Sequence, residues 1–167
     1  MASCGTCTLC CKIMGVPELH KLPGEWCPHA DPKKGCTIYE DRPQVCIDFE
    51  CMWLQAQDRE GDNQMKAPEL RPDRCKGVIV TTEQSGGVMV KMDPHRPNGY
   101  RTGALKRLIA STPKLPWLAQ VAGVRSGKAI NETAIRLCYR QGLTPQRIEA
   151  KDDWIEEEIR RKRGSTK

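Results

Sequence analysis

Four cysteines crowd the start of the chain, in the stretch CGTCTLCC over residues 4–11. A two-residue gap occurs twice in this stretch, and two cysteines then follow side by side. Closely spaced thiolates are soft ligands that suit zinc, copper(I) and iron–sulfur clusters, and a two-residue gap lets successive thiolates reach one centre. The first pattern in the sequence therefore predicts metal chelation.

Eight of the ten cysteines lie in the first 51 residues, and they form the candidate metal site. They are Cys4, Cys7, Cys10, Cys11, Cys27, Cys36, Cys46 and Cys51. Eight thiols divide evenly into two four-sulfur sites. Because adjacent side chains usually diverge, we expect Cys10 and Cys11 to bind two neighbouring metal centres or to form part of the wall around one polynuclear cluster. Zinc, as two or more ions, is the predicted metal, with iron or an iron–sulfur cluster as the alternative.

The two remaining cysteines, Cys75 and Cys138, are scattered along the rest of the chain. A buried, inert cysteine is common as a small hydrophobic residue, and we predict this role for both. A disulfide framework in an oxidising compartment is the alternative explanation for the cluster itself. The sequence disfavours that framework because residues 1–7 lack the basic start and apolar stretch of a secretory signal.

Eight thiolates carry negative charge that nearby cations must offset. The candidate cations are Arg42, Lys12, Lys33 and Lys34. Arg42 is the favoured one, and surface solvation is the stronger interpretation of the lysines. His29, two residues after Cys27, is a candidate to replace one sulfur ligand, although an ordinary exposed histidine is the more common case. His20 and His95 belong to no pattern that indicates metal binding or catalysis.

Composition describes a soluble chain of 167 residues with a modest core, since hydrophobic residues make up 38% of it. No run of about 18 apolar residues is present, so we expect no membrane span. The expected location is the cytoplasm, where thiols stay reduced. Residues 1–55 carry a net charge of −2 and residues 56–167 a net charge of +8. Nucleic acid is a disfavoured partner because the cysteine region is acidic and aromatic residues are only 5%.

The cysteine-bearing segments CGTCTLCC, GEWCPH, KGCTIYEDRPQVC and DFECMWL together resemble a known family. This is the cysteine-cluster family named for its C-x-x-C-x-x-C-C motif (YkgJ-type), described as zinc- or iron-chelating domains. The chain matches the family pattern at its eight clustered cysteines, at Ile38-Tyr39 and at Arg42-Pro43, so the resemblance covers about residues 4–54. It implies metal chelation. Flagellin lysine methylases carry a similar motif with an iron–sulfur cluster, which leaves an enzymatic relative open.

The expected fold class is α+β. Residues 1–57 are predicted to form an irregular, metal-stabilised, Cys-rich region, with one helix-like piece at 44–57, packed on residues 58–167 in one compact domain. Glycines and prolines interrupt any long hydrophobic period in the first part. Residues 58–75 are interpreted as a connection. The second part is predicted to contain hairpins at 77–93 and 117–135 and helices at 101–111 and 144–164.

Three functions are compatible with these patterns. A non-catalytic metal protein, acting as a chelator, delivery factor or metal-stabilised module, needs only the thiols and a fold, and we favour it. An iron–sulfur enzyme for redox or group transfer is the alternative, although the sequence contains no glycine-rich nucleotide loop or other recognisable cofactor motif. A zinc-stabilised nucleic-acid binder comes third. Beyond metal ions, the sequence names no protein partner.

Overall fold

The structure, a computed structural model, describes residues 3–61, 64–82, 87–112, 117–125, 128–137 and 146–149. It combines short helices with two sheets, so the predicted mixed α+β class is confirmed. No helix within those ranges is long and apolar enough to cross a membrane.

The cysteine-rich segment folds into short helices and one small hairpin. Its elements are α1 (Leu9–Ile13), β1 (Ala30–Asp31), β2 (Gly35–Cys36), α2 (Gln44–Asp48) and α3 (Met52–Gln57), with a 3-10 turn at Pro17–Leu19. The helical piece predicted over 44–57 is therefore confirmed only in part. It is helical at Gln44–Asp48 and at Met52–Gln57, and the chain is extended at Phe49 and Cys51 between them.

A five-stranded sheet forms the larger part of the fold. Its strands are β3 (Gly77–Thr82), β4 (Gly87–Met92), β5 (Trp117–Arg125), β6 (Lys128–Leu137) and β7 (Gln146–Glu149), and they lie in sequence order across the sheet. The two predicted hairpins are confirmed as the antiparallel pairs β3–β4 and β5–β6. Strands β4 and β5 are parallel. The predicted helix between them is confirmed as α5 (Gly103–Ser111), which belongs to the crossover that parallel strands require.

Short helical turns lead into and out of the first hairpin. They are a 3-10 turn at Pro68–Leu70, α4 (Pro72–Cys75) and a 3-10 turn at Gly99–Arg101. The connection predicted over 58–75 therefore contains local helical structure. Proline at the start of both Pro68–Leu70 and α4 favours these turns because its fixed φ suits a first helical position.

The helix predicted over 144–164 is wrong at its start. Gln146–Glu149 form β7 and pair antiparallel with Thr133–Arg136 of β6. This pairing gives β6 backbone hydrogen-bond partners on its second side, and that long-range gain outweighs the local helical pattern. The rest of that predicted helix lies outside the described residues.

Strand β3 joins the cysteine region to the sheet because its alternate side chains face two different clusters. Ile79 belongs to the larger core with Val90 and Leu105. Val78, which is fully buried, belongs to a second cluster that contains Leu9, Ile13, Leu54 and Cys51. Helices α1 and α3, which carry or adjoin cysteines, thus pack directly on β3. The domain boundary predicted at residue 57 stays a prediction.

Candidate metal centre

One cavity of about 120 Å³ brings the eight clustered cysteines together. Its lining includes Cys4, Cys7, Cys10, Cys11, Cys27, Cys36, Cys46 and Cys51. A single water needs roughly 10–15 Å³ of such space, so the cavity has room for several atoms. Apolar side chains, among them Val16, Ile38 and Phe49, form much of the remaining wall.

The hairpin β1–β2 contains Cys36, and the segment that leads into it contains Cys27, which contacts the helix that carries Cys10 and Cys11. The backbone N–H of Cys27 donates to the carbonyl of Cys11 at 3.0 Å. Three residues later Ala30 pairs with Cys36 across the hairpin. Gly35 lets the hairpin approach the loop that contains Gly5. Its φ is +93°, and a Cβ there would clash with the carbonyl oxygen of Gly5.

Arg42 lines the same cavity, as its predicted role requires. Its guanidinium lies 3.9 Å from the centre of the Tyr39 ring and donates from Nη1 to the Tyr39 carbonyl at 2.6 Å. Nε donates more weakly to the carbonyl of Cys46, at 3.4 Å. The arginine therefore fixes the chain between β2 and α2 and places its positive charge beside thiols, where it favours the thiolates of Cys4 and Cys36.

The thiols of Cys4, Cys10 and Cys11 shift one another's pKa values. Hydrogen bonding with Cys11 and with Cys4, together with burial, raises the pKa of Cys10 well above its usual value. The same hydrogen bond lowers the pKa of Cys4 to about 7 and also lowers that of Cys11. A thiolate can therefore form at Cys4 near neutral pH without any metal.

Four further thiols of the cavity have raised pKa values. Burial raises the pKa of Cys7 and Cys36, and it raises those of Cys46 and Cys51 to about 11. Nearby thiolates raise the pKa of Cys46 further, while N–H groups at the start of α3 partly offset the effect at Cys51. Because metals bind thiolates, metal binding here must release protons.

The predicted lysines do not line this cavity. The Lys12 ammonium is buried and bonds to Asp93 Oδ1 at 2.7 Å and to His95 Nδ1 at 2.9 Å. Lys33 and Lys34 are exposed in the turn of the hairpin, where their backbone N–H groups bond to Asp31. The Lys12 charge thus neutralises an aspartate, and surface solvation is the fitting interpretation of the other two lysines.

Two cations that the sequence analysis missed lie beside the thiols. Lys21 is only 3% exposed, and its ammonium donates to the carbonyls of Lys12, Met14 and Leu22. Burial lowers the pKa of Lys21 to about 8, while neighbouring thiolates, Cys27 foremost, oppose that effect. No local pattern marks this lysine. Its position in the chain between Cys11 and Cys27 is the only signal that could have drawn attention to it.

Arg71 is the second missed cation. Its side chain opposes the rise in the pKa of Cys7 and helps to lower that of Cys4, while Nη2 donates to Thr6 Oγ1 at 2.7 Å. Nε forms an ion pair with Asp73 at 2.9 Å. Arg71 lies 20 residues beyond the last clustered cysteine, Cys51, so no motif spacing could have identified it.

The remaining candidates lie away from the cavity. His29 lines a separate surface hollow, and its carbonyl accepts hydrogen bonds from Thr37. The Cys75 thiol does not line the cavity and donates to the carbonyl of Gly77 at 3.2 Å, and burial raises its pKa to about 12. This is the geometry of an inert thiol. The same prediction for Cys138 lies outside the described residues.

The donor set fits a soft metal by its chemistry, although the sulfurs do not converge on one point. The nine described cysteines are all free thiols. Within the described ranges, no group of three or more Cys, His, Asp or Glu side chains has an arrangement that could hold a metal ion. Binding of a metal would require the protonated sulfurs among them to lose their protons.

Comparisons with known protein families, curated proteins and solved structures found no match to this chain. The resemblance to the cysteine-cluster family stays a prediction.

Proposed function

We propose that this protein chelates zinc or iron through its eight clustered cysteines, in two metal centres. The observation that supports the proposal is the single cavity whose wall includes all eight thiols, although they come from segments up to 47 residues apart in sequence. A core that buries cysteine as a small hydrophobic residue has no need to gather eight of them around one space. Soft thiolate donors favour zinc, copper(I) or iron–sulfur clusters over hard cations.

A bound metal would cross-link a segment that has few other means of holding its shape. The helices of residues 3–61 are five or six residues long, far below the length at which isolated helices are stable. Structural zinc supplies roughly 10–16 kcal/mol of apparent binding free energy to small metal-dependent folds. The role we propose is therefore a chelating or metal-stabilised module, in which each bound thiol loses its proton to solvent as its sulfur binds the metal.

An iron–sulfur enzyme is the second candidate. The observation that favours it is the apolar wall formed by Val16, Ile38 and Phe49, because solvent exclusion is one of the factors that set the potential of such a cluster. This candidate also uses the eight thiols, so it differs from the first in the metal and in the presence of sulfide.

Elemental analysis together with an absorbance spectrum, on protein purified without oxygen, tests the proposal. About two zinc ions per chain and no absorbance near 400 nm would support the chelating module. Iron with matching acid-labile sulfide would favour the second candidate. Protein that contains no metal, and that takes up neither zinc nor iron when reduced and reconstituted, would contradict both. Cys75→Ser is the matched control, because Cys75 lies outside the cavity lining, and it should retain the wild-type metal content.

A further inference from the structure

Three of the eight thiols share one apolar environment. Cys51 belongs to the cluster of Leu9, Ile13, Leu54 and Val78, and Cys4 and Cys10 pack against the same cluster. No other cysteine of the described residues belongs to that cluster or packs on it. These three sulfurs therefore lie at the inner end of the cavity, towards β3.

Cys7 belongs with this inner group. Its backbone N–H donates to the carbonyl of Cys4 at 3.0 Å, which closes a turn with both residues on one loop. We define Cys4, Cys7, Cys10 and Cys51 as the inner quartet.

The remaining four thiols are connected through the hairpin. Cys11 accepts the backbone hydrogen bond of Cys27, and Cys36 faces Ala30 across β1 and β2. Cys46 lies in α2, and its carbonyl accepts from Nε of Arg42, whose Nη1 donates to the carbonyl of Tyr39, three residues after Cys36. We define Cys11, Cys27, Cys36 and Cys46 as the outer quartet.

The boundary between the quartets runs through α1. Consecutive residues of an α-helix point about 100° apart, so the side chains of Cys10 and Cys11 diverge from the helix although the two thiols still interact. Cys10 packs on the inner apolar cluster, whereas the Cys11 carbonyl accepts from the backbone N–H of Cys27, which precedes the hairpin. Adjacent cysteines on one short helix can thus form a wall between two sites.

Each quartet has a cation of its own. Arg71 Nη2 donates to Thr6 Oγ1 at 2.7 Å, and Thr6 directly precedes Cys7 of the inner quartet. The Lys21 ammonium donates to the carbonyl of Lys12 at 3.2 Å, and Lys12 directly follows Cys11 of the outer quartet. Four thiolates around a divalent ion leave a charge of about −2, which a cation beside each site would reduce.

On the basis of the proposed function, we infer that the eight thiols form two separate four-sulfur centres, one from the inner quartet with Arg71 beside it and one from the outer quartet with Lys21 beside it. At each centre four S–H bonds break, four sulfur–metal bonds form and the protons pass to solvent, so no oxidant or reductant takes part. The two centres differ in surroundings: the inner one packs on the apolar cluster at β3, and the outer one lies between α1 and the hairpin.

Pairs of substitutions separate this partition from other arrangements. Reduced protein is reconstituted with Zn²⁺ without oxygen, and bound zinc is counted per chain. The double variant Cys7→Ser/Cys51→Ser, which affects the inner quartet alone, should fall from two zinc ions to one. The variant Cys36→Ser/Cys46→Ser should also retain one. The mixed variant Cys36→Ser/Cys51→Ser should retain none or bind only weakly, and Cys75→Ser should retain two.

The outcomes distinguish this inference from the proposed function. Loss of both ions in a variant confined to one quartet would overturn the partition and would indicate one polynuclear cluster. Retention of one tightly bound ion by the mixed variant would overturn it as well. Absence of zinc binding in the wild-type protein would instead reject the proposed function. A variant that still binds one zinc ion has kept the fold around its intact quartet. If Cys51→Ser fails to fold, Cys4→Ser can replace it.

Discussion

At the scale of single residues, Lys21 has an unusual position for a lysine. All three hydrogens of its ammonium are used on carbonyls, and two of these, of Lys12 and Met14, belong to the C-terminal end of α1. Helix C-termini attract cations because their last carbonyls have no helical partner. Lys21 therefore both caps the helix that carries Cys10 and Cys11 and brings positive charge to the thiols.

Lys21→Met should weaken both of these effects. The variant leaves the carbonyls without their buried donor, so we expect the free energy of unfolding of metal-free protein to fall by roughly 1–3 kcal/mol. Zinc affinity should fall as well, and it should fall more at the outer quartet. Urea unfolding and a competition titration with a zinc chelator measure the two effects. Lys33→Met is the matched control because Lys33 is exposed in the hairpin turn. Equal behaviour of the two variants would contradict this account.

Lys21 and Arg71 also show which residues near the thiols cannot be predicted from local sequence patterns. Metal-ligand spacing is a local property, so the eight cysteines could be selected from the sequence alone. The partner of a buried charge depends on segments brought together by folding, and neither cation has a fixed spacing to the motif. Arg42 could be selected because it lies inside the motif. For Lys12 the favoured interpretation, surface solvation, is wrong, because its ammonium is buried and pairs with Asp93, 81 residues away.

At the scale of elements, the hairpin β1–β2 positions half of the outer quartet. It contacts the loop of Cys4 and Cys7 through Gly35, whose missing side chain lets the carbonyl of Gly5 approach. This contact sets the distance between the hairpin and the loop that carries Cys4 and Cys7.

Gly35→Ala should displace the hairpin. Its Cβ would meet the Gly5 oxygen, and we expect a loss of roughly 1–3 kcal/mol in the free energy of unfolding together with weaker zinc binding. Gly61→Ala is a matched control: Gly61 also has a positive φ, +87°, but nothing lies within 4 Å of its would-be Cβ. Denaturant unfolding of both variants separates the clash from the shared backbone strain. An equal loss in both would show that the close approach is unimportant.

The elements that the sequence predicted correctly are those whose signals are local. The two hairpins have β-rich arms at short separation, and α5 has a helical apolar stripe. Parallel pairing of β4 with β5 has no local signal, because it depends on the crossover. Gln146–Glu149 had a helical pattern but lies at the edge of β6, where strand pairing decides the structure.

At the scale of the whole molecule, one buried ion pair connects the cysteine region to the end of β4. Lys12 of α1 bonds to Asp93, directly after β4, and His95 completes the contact. Burial acts to raise the pKa of Asp93, but hydrogen bonds from Lys12 Nζ and from the His95 N–H outweigh it and lower that pKa. The ion pair thus stabilises the attachment of the helix that carries Cys10 and Cys11.

Asp93→Asn should cost roughly 3 kcal/mol of stability at pH 7, because it leaves the Lys12 ammonium buried without its counter-charge. A carboxylate with a lowered folded pKa stabilises the fold above its unfolded pKa, near about 3.9, and that contribution is lost as pH falls through the folded pKa. The stability difference between wild type and variant should therefore shrink below about pH 4. Denaturant unfolding at several pH values measures it, with exposed Asp41→Asn as the control. A difference that stays constant down to pH 2 would contradict the prediction.

The central claim is that thiols alone hold the metal, four to each centre. X-ray absorption at the metal edge tests it most directly, on wild-type protein purified without oxygen and loaded with two zinc ions per chain. The account predicts a first shell of four sulfurs at about 2.3 Å. A shell with fewer sulfurs, completed by nitrogen or oxygen at about 2.0–2.2 Å, would contradict it and would bring side chains outside the eight cysteines into the site.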